Sequence, residues 1–155
     1  GKDNTSPVSV EIDAPQQHSD AVGTWRSITY TYEDGCQIIL DGEGIEENIP
    51  YIEGPKGKLY PGFRSDIPDL EKKLAAFPDP EPQVTDFVEA VKGRRKFALN
   101  EENGHRSCTL VNMGKIALQL GRSLKFDPVK QEFIDDEAAN RLIDQPMRGE
   151  WSMSS

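Results

Sequence analysis

The residues of this chain whose types best suit ligand chemistry stand together at Gly104-His105-Arg106. A histidine exchanges protons near neutral pH, and an arginine presents several donors in a rigid planar fork. The apolar pattern over residues 107–120 predicts a long helix that starts beside this trio. Because the N–H groups of a first helical turn attract anions, we predict contacts to an anionic or hydroxyl-rich ligand from His105 and Arg106. The alternative is that His105 caps or packs against the helix entry.

Aromatic and basic residues near predicted strand ends form a second candidate group. Trp25-Arg26 and Tyr60, followed by Arg64, combine flat apolar faces with hydrogen-bond donors. This combination suits sugars, whose rings have apolar C–H faces and polar rims. The competing interpretation is that Trp25 belongs to the sheet core and Arg64 is a surface charge.

No catalytic or metal-binding set is predicted from the sequence. Only His18 and His105 could serve as imidazole bases, and neither lies in a nucleophile-elbow context. Cys36 and Cys108 lack C-x-x-C spacing or a histidine beside them, so neither zinc nor a redox motif is supported. We expect both cysteines to be buried as small apolar residues. Neighbouring acids such as Asp135-Asp136 are expected to be solvated charge, because acid–base catalysis needs geometry that adjacency does not supply.

Two glycine-containing strings resemble phosphate-binding motifs without completing one. Gly42-Glu43-Gly44 lacks the third glycine of a dinucleotide fingerprint, and acids follow it. Gly54-Pro55-Lys56-Gly57 lacks the spacing of a phosphate loop, and it is predicted to be a hairpin turn. No cofactor site is therefore predicted within this chain.

The first half of the chain is predicted to form strands. Residues 8–12 alternate apolar and polar side chains, as a half-buried strand does. Residues 25–33 and 36–40 flank Asp34-Gly35, which predicts a two-residue hairpin with a type I′ turn. Ile28, Tyr30 and Tyr32 then share one face of their strand. A further short pair is expected at residues 51–53 and 58–60, which gives four or five strands before Pro61.

The second half is predicted to form helices. Apolar residues recur at helical spacing over residues 69–77, 84–91 and 107–120, and an acid at Asp135 or Asp136 is expected to cap a final helix. Gly114, inside the third helix, would let another backbone approach closely. Strands followed by helices predict an α+β fold: a mainly antiparallel open sheet with helices packed on one face.

Length and charge are those of one compact domain. The chain has 155 residues, enough for a single hydrophobic core. Its 27 acidic residues against 18 Lys and Arg give a net charge of −9, which disfavours binding to nucleic acid or to an anionic membrane surface. No apolar run approaches the roughly 18 residues that a membrane span needs. The compartment, cytoplasmic or periplasmic, stays open.

Several stretches together resemble a known oxidoreductase family. They are residues 103–107 with the following GKIALQLGRSLKFDP (114–128) and DDEAANRLIDQPMRGEW (135–151), and the earlier residues 3–15, 23–35 and 82–96. This set resembles the substrate and oligomerisation domain at the C-terminal end of the Gfo/Idh/MocA family of NAD(P)-dependent sugar and polyol oxidoreductases. The resemblance implies the same α+β architecture over nearly the whole chain.

The resemblance also implies a larger parent protein. Family members begin with a nucleotide-binding domain, continue through a Glu-Lys-Pro motif with a catalytic lysine, and carry an Asp-x-x-x-His pair, none of which occurs in this chain. We therefore expect an excised C-terminal domain, with Gly1 left from tag removal. Its implied partners are its own N-terminal domain, which would hold NAD or NADP, a sugar-like small molecule, and further copies of itself that pack through the sheet face.

One alternative from a different functional class stays open. The same features suit a free-standing, non-catalytic domain that binds carbohydrate or another protein, since no catalytic residue is identified. A small hydrolase that uses carboxylates has no recognisable site.

Overall fold

The structure is a computed structural model that describes residues 2, 4–18, 21–44, 46–79 and 82–143. These residues form two compact units. The first comprises the described parts of Gly1–Gly42 and Leu99–Ser155, and the second comprises the described parts of Glu43–Ala98.

Eight strands and four α-helices follow one another along the described chain. In chain order they are β1 (Ser9–Asp13), β2 (Ser27–Thr31), β3 (Gln37–Asp41), β4 (Ile52–Gly54), β5 (Gly57–Tyr60), β6 (Arg64–Ser65), α1 (Leu70–Ala75), α2 (Phe87–Gly93), α3 (Glu101–Leu120), β7 (Leu124–Asp127), β8 (Glu132–Phe133) and α4 (Glu137–Asn140). A short 3₁₀ helix (Pro61–Phe63) precedes β6. Five of the strands come before Pro61, in agreement with the predicted number.

The first unit is built on an antiparallel five-stranded sheet with the order β3-β2-β1-β7-β8. Val10 on β1 lies opposite Tyr30 on β2, and Ile28 shares their buried face. These side chains join one core cluster with the buried residues of α3, including Met113 and Ala117. The alternation of strand side chains thus puts the apolar face under the helix. The predicted α+β fold, with an open antiparallel sheet, is confirmed.

α3 begins earlier than the sequence indicates. Asn100 is its N-cap, and the Asn100 side chain accepts a hydrogen bond from the Asn103 N–H at 3.1 Å. Glu101 and Glu102 in the first turn also favour a helix there, because carboxylates stabilise the positive end of the helix dipole. The helix ends at Gly121, whose left-handed backbone (φ 66°) forms the C-cap. The predicted start at residue 107 is therefore wrong by about two turns.

A side chain, and not a backbone, fills the space that Gly114 leaves. The Tyr30 hydroxyl donates a hydrogen bond to the Leu110 carbonyl at 2.9 Å, which brings it against α3 at Gly114. A Cβ on Gly114 would overlap the Tyr30 Oη atom. The predicted close approach at Gly114 is present, but the partner is a tyrosine ring of β2.

The hairpin at Asp34-Gly35 is confirmed, but its turn is not of type I′. Ile28 pairs with Leu40, and Tyr30 pairs with Ile38. Gly35 has a positive φ of 81°, whereas Asp34 does not, and the Gly35 N–H donates to the Tyr32 carbonyl at 2.9 Å. A turn with one left-handed glycine leads to a bulge before the ladder starts, so the loop is longer than two residues.

The chain after α3 completes the first unit. β7 pairs with β1, and the rings of Phe126 and Phe133 meet edge to face at 5.3 Å. Asp136 caps α4 by accepting from the Ala139 N–H at 3.0 Å. The expected cap at Asp135 or Asp136 is thus Asp136. The helix was predicted to run through Leu142 and Ile143, but it ends at Asn140, and residues 141–143 form a turn.

The second unit has little buried apolar surface. β4, β5 and β6 form an antiparallel three-stranded sheet, which includes the predicted hairpin through Gly54 to Gly57. α2 is capped by Asp86 and is fixed by an edge-to-face contact of Phe87 with Phe97 at 5.7 Å. In the described part of this unit only Ala90 is buried, and the α2 side chains of Phe87, Val88 and Val91 are more than half exposed.

Both cysteines are exposed, which contradicts the expectation that they are buried. Cys36 lies at the hairpin end, and Cys108 lies in the second turn of α3. Within the ranges that the structure describes, no helix is long and apolar enough to cross a membrane.

Candidate functional site

A cleft of about 170 Å³ opens beside α3 in the first unit, and His105 lines it. Five apolar side chains line the cleft. Four of them are buried, namely Met113, Ile116, Phe126 and Phe133, and the fifth, Ile143, is exposed. Its polar lining consists of His105, Cys108, Thr109, Asn112 and Gln131. An apolar floor with a few polar groups at its rim is the usual make-up of a small-molecule site.

Helical geometry explains why the polar groups meet. Residues three, four and seven positions apart lie on one side of a helix. Cys108, Thr109 and Asn112 follow His105 at these intervals, so all four line the same cleft. The sequence interpretation missed these three residues, although the helical period counted from His105 would have found them. Gln131 enters from the turn between β7 and β8, and only the tertiary structure brings it here.

Some of the polar groups already have intramolecular partners. The Thr109 hydroxyl donates to the His105 carbonyl at 2.9 Å. The Gln131 side-chain amide donates to the Pro128 carbonyl, which leaves its oxygen as an acceptor at the cleft. The His105 imidazole and the Asn112 amide carry donors and acceptors suited to hydroxyl groups.

Arg106 does not join His105 in the cleft. Adjacent positions of a helix point about 100° apart, and the Arg106 Nη2 atom lies 3.4 Å from the Asn4 Oδ1 atom. The prediction that backbone N–H groups at Gly104-His105-Arg106 bind an anion also does not fit the start of the helix. Since α3 starts at Glu101, the His105 N–H is beyond the four N–H groups that a helix leaves unpaired at its start.

Trp25 and Arg26 stand at the entry to β2 with different environments. The Arg26 guanidinium forms a two-bond ion pair with Asp13, with Nε and Oδ2 2.8 Å apart. The hydrogen bond from Arg26 holds the pKa of the Asp13 carboxyl below its usual range. Trp25 is half-buried against the core cluster, in line with the sheet-core interpretation. Its indole Nε1 is buried and has no hydrogen-bond acceptor among the described residues.

Tyr60 and Arg64 belong to the second unit and lie together there. The Arg64 guanidinium carbon is 5.9 Å from the centre of the Tyr60 ring, within the range of a cation–π contact. Arg64 also donates to the carbonyl oxygens of Pro61 and Glu47. The structure thus brings Tyr60 and Arg64 together, whereas it gives Trp25 and Arg26 different surroundings. It also separates Arg106 from His105.

Metal and nucleotide sites find no support in the described residues. No group of three or more His, Cys, Asp or Glu side chains among them could hold a metal ion. A pyrophosphate needs a helix N-terminus directly after a glycine turn, such as Gly42-Glu43-Gly44 would have to supply. The described residues 46–49 that come after this string form a non-helical turn, and the next α-helix in the described chain starts at Leu70. The described residues of this string therefore do not fit a nicotinamide dinucleotide.

The first unit is an α+β fold with a cleft beside its sheet. A Gfo/Idh/MocA family model, described as an oxidoreductase family C-terminal alpha/beta domain, matches residues 1–153. The chain belongs to this family, and the resemblance seen in its sequence is confirmed. No curated protein and no solved structure matches the chain.

Proposed function

We propose that this domain forms one wall of the substrate pocket of an NAD(P)-dependent oxidoreductase that acts on a sugar, a polyol or a related compound. The family match supports the oxidoreductase part of this proposal. The observation that carries the substrate part is the cleft, in which the rim of His105, Asn112 and Gln131 lies over an apolar floor. Such a surface packs against the C–H face of a ring and hydrogen-bonds its hydroxyls.

The chemistry divides between this chain and a separate nucleotide-binding domain. When bound there, the nicotinamide cofactor supplies the hydride transfer, and a catalytic lysine of the parent handles the hydroxyl proton. This chain contributes orientation. His105 and Asn112 hold hydroxyl groups of the substrate, while the apolar floor excludes water from one side of it.

Two other residues that were predicted to contact the substrate, Arg26 and Arg64, already have hydrogen-bond partners. Arg26 is engaged by Asp13, and Arg64 is engaged by the Pro61 and Glu47 carbonyls. Each can reach a substrate only by giving up hydrogen bonds within its own unit. His105, which lines the cleft, is therefore the leading candidate for a substrate contact.

The domain is also proposed to assemble into homo-oligomers through the outer face of the five-stranded sheet. Ser27, Thr29 and Thr31 lie on that face, opposite the core residues of the same strand. These three side chains are polar and half-buried, and Ile39, which lies opposite Thr29 on the same face, is 59% exposed. An interface there would therefore combine hydrogen bonds between hydroxyl groups with burial of an apolar side chain.

The substrate-wall proposal is tested in the parent enzyme with its nucleotide-binding domain. We expect His105→Ala to lower kcat/KM by about 10-fold or more, because a substrate hydroxyl loses a hydrogen-bond partner. His18→Ala is the matched control, since it removes the other of the chain's two histidines from a segment outside the cleft. Equal kinetics for the His105 variant and the wild type would remove this residue from the substrate wall.

The assignment of the cofactor to the nucleotide-binding domain is tested on this chain alone by calorimetry. Titration with NADH is expected to show no tight binding, since the cofactor is assigned to the other domain. Tight and stoichiometric binding of NADH would contradict that assignment. Binding of glucose or inositol to the isolated chain is measured through the NMR chemical shifts of His105 and Asn112. Weak binding would agree both with a substrate wall of an enzyme and with a free-standing carbohydrate-binding domain. Turnover after addition of the nucleotide-binding domain separates these two.

A further inference from the structure

The two edge strands of the five-stranded sheet differ in whether their outward backbone groups are hydrogen-bonded. At one end, β8 has two residues, and the Asn140 side chain occupies its outer edge. The Asn140 amide donates to the Phe133 carbonyl at 2.9 Å, and its oxygen accepts from the Phe133 N–H at 2.6 Å. This side chain thus takes the place of a neighbouring strand. The opposite edge is β3, where no described side chain bonds the outward backbone groups of Gln37 or Ile39.

All five residues of β3 are exposed, although its centre is apolar. Ile38, Ile39 and Leu40 are 36%, 59% and 44% exposed. Natural edge strands usually avoid pairing through proline, lysine, a bulge or short length. The Gln37–Asp41 strand contains no proline or lysine, and it pairs with β2 over its full length without a bulge.

The pairing with β2 fixes which backbone groups of β3 point outward. In an antiparallel ladder, every second residue exchanges hydrogen bonds with the neighbouring strand, and the others point away. The Tyr32 N–H donates to the Cys36 carbonyl, and the Gly42 N–H donates to the Arg26 carbonyl. Even-numbered residues of β3 therefore bond to β2. The N–H and C=O groups of Gln37 and Ile39 point outward, and no backbone group of a described residue bonds them there.

We infer that β3 pairs edge to edge with β3 of a second copy of this chain, in antiparallel register with Ile39 opposite Ile39. In this register the two Ile39 residues exchange both backbone hydrogen bonds, as outward-pointing residues do. Gln37 of each copy comes opposite Asp41 of the other, so no like charges meet. Ile38 comes opposite Leu40, and three apolar residues of each strand lose water together.

A second copy of the chain fits this edge because the order of polar and apolar residues in β3 is the same in both directions, as antiparallel pairing of two identical strands requires. A two-fold axis requires that residue i of one copy meets residue j while j meets i, and the order polar, apolar, apolar, apolar, polar reads the same in both directions. A five-residue edge buries less than the roughly 1,200 Å² of stable interfaces. The association is therefore weak, and it depends on concentration.

This edge is distinct from the outer sheet face proposed above for assembly. Edge pairing uses N–H groups that point within the plane of the sheet, whereas face packing uses side chains perpendicular to it. The two contacts can exist in the same assembly, and they can be disrupted separately.

The test measures self-association of the chain by analytical ultracentrifugation over a range of concentrations. Ile39→Pro removes the outward N–H and leaves the bonds to β2 in place, since proline is tolerated where the N–H faces away from the sheet. We expect it to weaken association by about 10-fold or more. Ile39→Ala is the matched control, because it removes the side chain and keeps the N–H. Thr29→Arg disrupts the outer face and is expected to leave edge pairing intact.

Amide hydrogen exchange keeps the inference testable if the proline variant does not fold. In the wild-type chain, Ile38 and Leu40 are protected at every concentration by β2. Protection of the Ile39 N–H is expected to rise with protein concentration, by about 10-fold or more. If Ile39 exchanges as fast as a loop amide at the highest concentration, or if Ile39→Pro associates like the wild type, the edge pairing is disproved, whatever happens at the outer face.

Discussion

At the scale of single residues, Gly114 and Tyr30 depend on each other. A Cβ at position 114 would overlap the Tyr30 Oη atom, which is held in place by the Leu110 carbonyl. We predict that Gly114→Ala lowers the free energy of unfolding by about 1–3 kcal/mol, because overpacking outweighs the gain of about 1 kcal/mol in helix propensity. Urea unfolding followed by circular dichroism measures the change.

Gly104 is the matched control on the same helix. It is exposed, and a Cβ there would meet no atom within 4 Å. Gly104→Ala should therefore stabilise the chain by up to about 1 kcal/mol. Tyr30→Phe combined with Gly114→Ala should recover part of the loss, since it removes the overlapping oxygen. A Gly114→Ala protein as stable as the Gly104→Ala protein would show that the ring of Tyr30 moves freely.

At the scale of elements, Asp136 ties α4 to the end of α3. Its carboxylate pairs with Arg122 and also accepts from the Ala139 N–H, with Nη2 of Arg122 and Oδ1 2.8 Å apart. The hydrogen bond from Arg122 is the main cause that lowers the pKa of Asp136 to about 2. The expectation of a solvated charge is therefore wrong at this position, because the carboxyl side chain is only 14% exposed.

The lowered pKa predicts how this contact responds to acid. A free aspartate has a pKa of about 3.9, so the stabilisation by Asp136 is complete above about pH 5 and is lost as the pH falls towards 2. Asp136→Asn should be less stable than the wild type at pH 6, and the difference should shrink between about pH 5 and about pH 2. Denaturant unfolding at several pH values measures it, with Asp135→Asn as the control for charge. A difference that does not change with pH would contradict the assignment.

At the scale of the whole molecule, the two units differ in how much apolar surface they bury. The first unit contains the core cluster around Val10, Tyr30 and Ala117, whereas the described part of the second buries only Ala90. Local stability follows buried contacts. We predict slow hydrogen exchange for amides of β1 and β2, and exchange at least about 10-fold faster for amides of α1 and α2.

The same experiment bears on the prediction of one folding domain. If α1 and α2 exchange as slowly as β1 and β2, the second unit is as stable as the first despite its sparse core. Binding of a partner that covers Phe87, Val88 and Val91, which are more than half exposed, should slow exchange of α2 selectively.

The sequence by itself determined the features that depend on neighbours along the chain. Alternation over residues 8–12, the Asp34-Gly35 turn and the helical period after Ser107 indicated the sheet, the hairpin and α3, because side-chain direction within an element follows its period. The family resemblance rested on the residue strings themselves, such as 114–128 and 135–151, and the family match over residues 1–153 confirms it. His105 was proposed as a candidate because its residue type is chemically distinctive, and the structure places it at the rim of a cleft.

Only the tertiary structure decided the features that depend on residues far apart. Gln131 reaches the His105 cleft through the β7 to β8 turn, and Asn140 closes one sheet edge while β3 stays open at the other. The start of α3 at Glu101 was missed for a local reason, since the Asn100 cap precedes the apolar period that marked the helix. Contacts across the fold have no period in the sequence, because packing and hydrogen-bond satisfaction select them only when the elements come together.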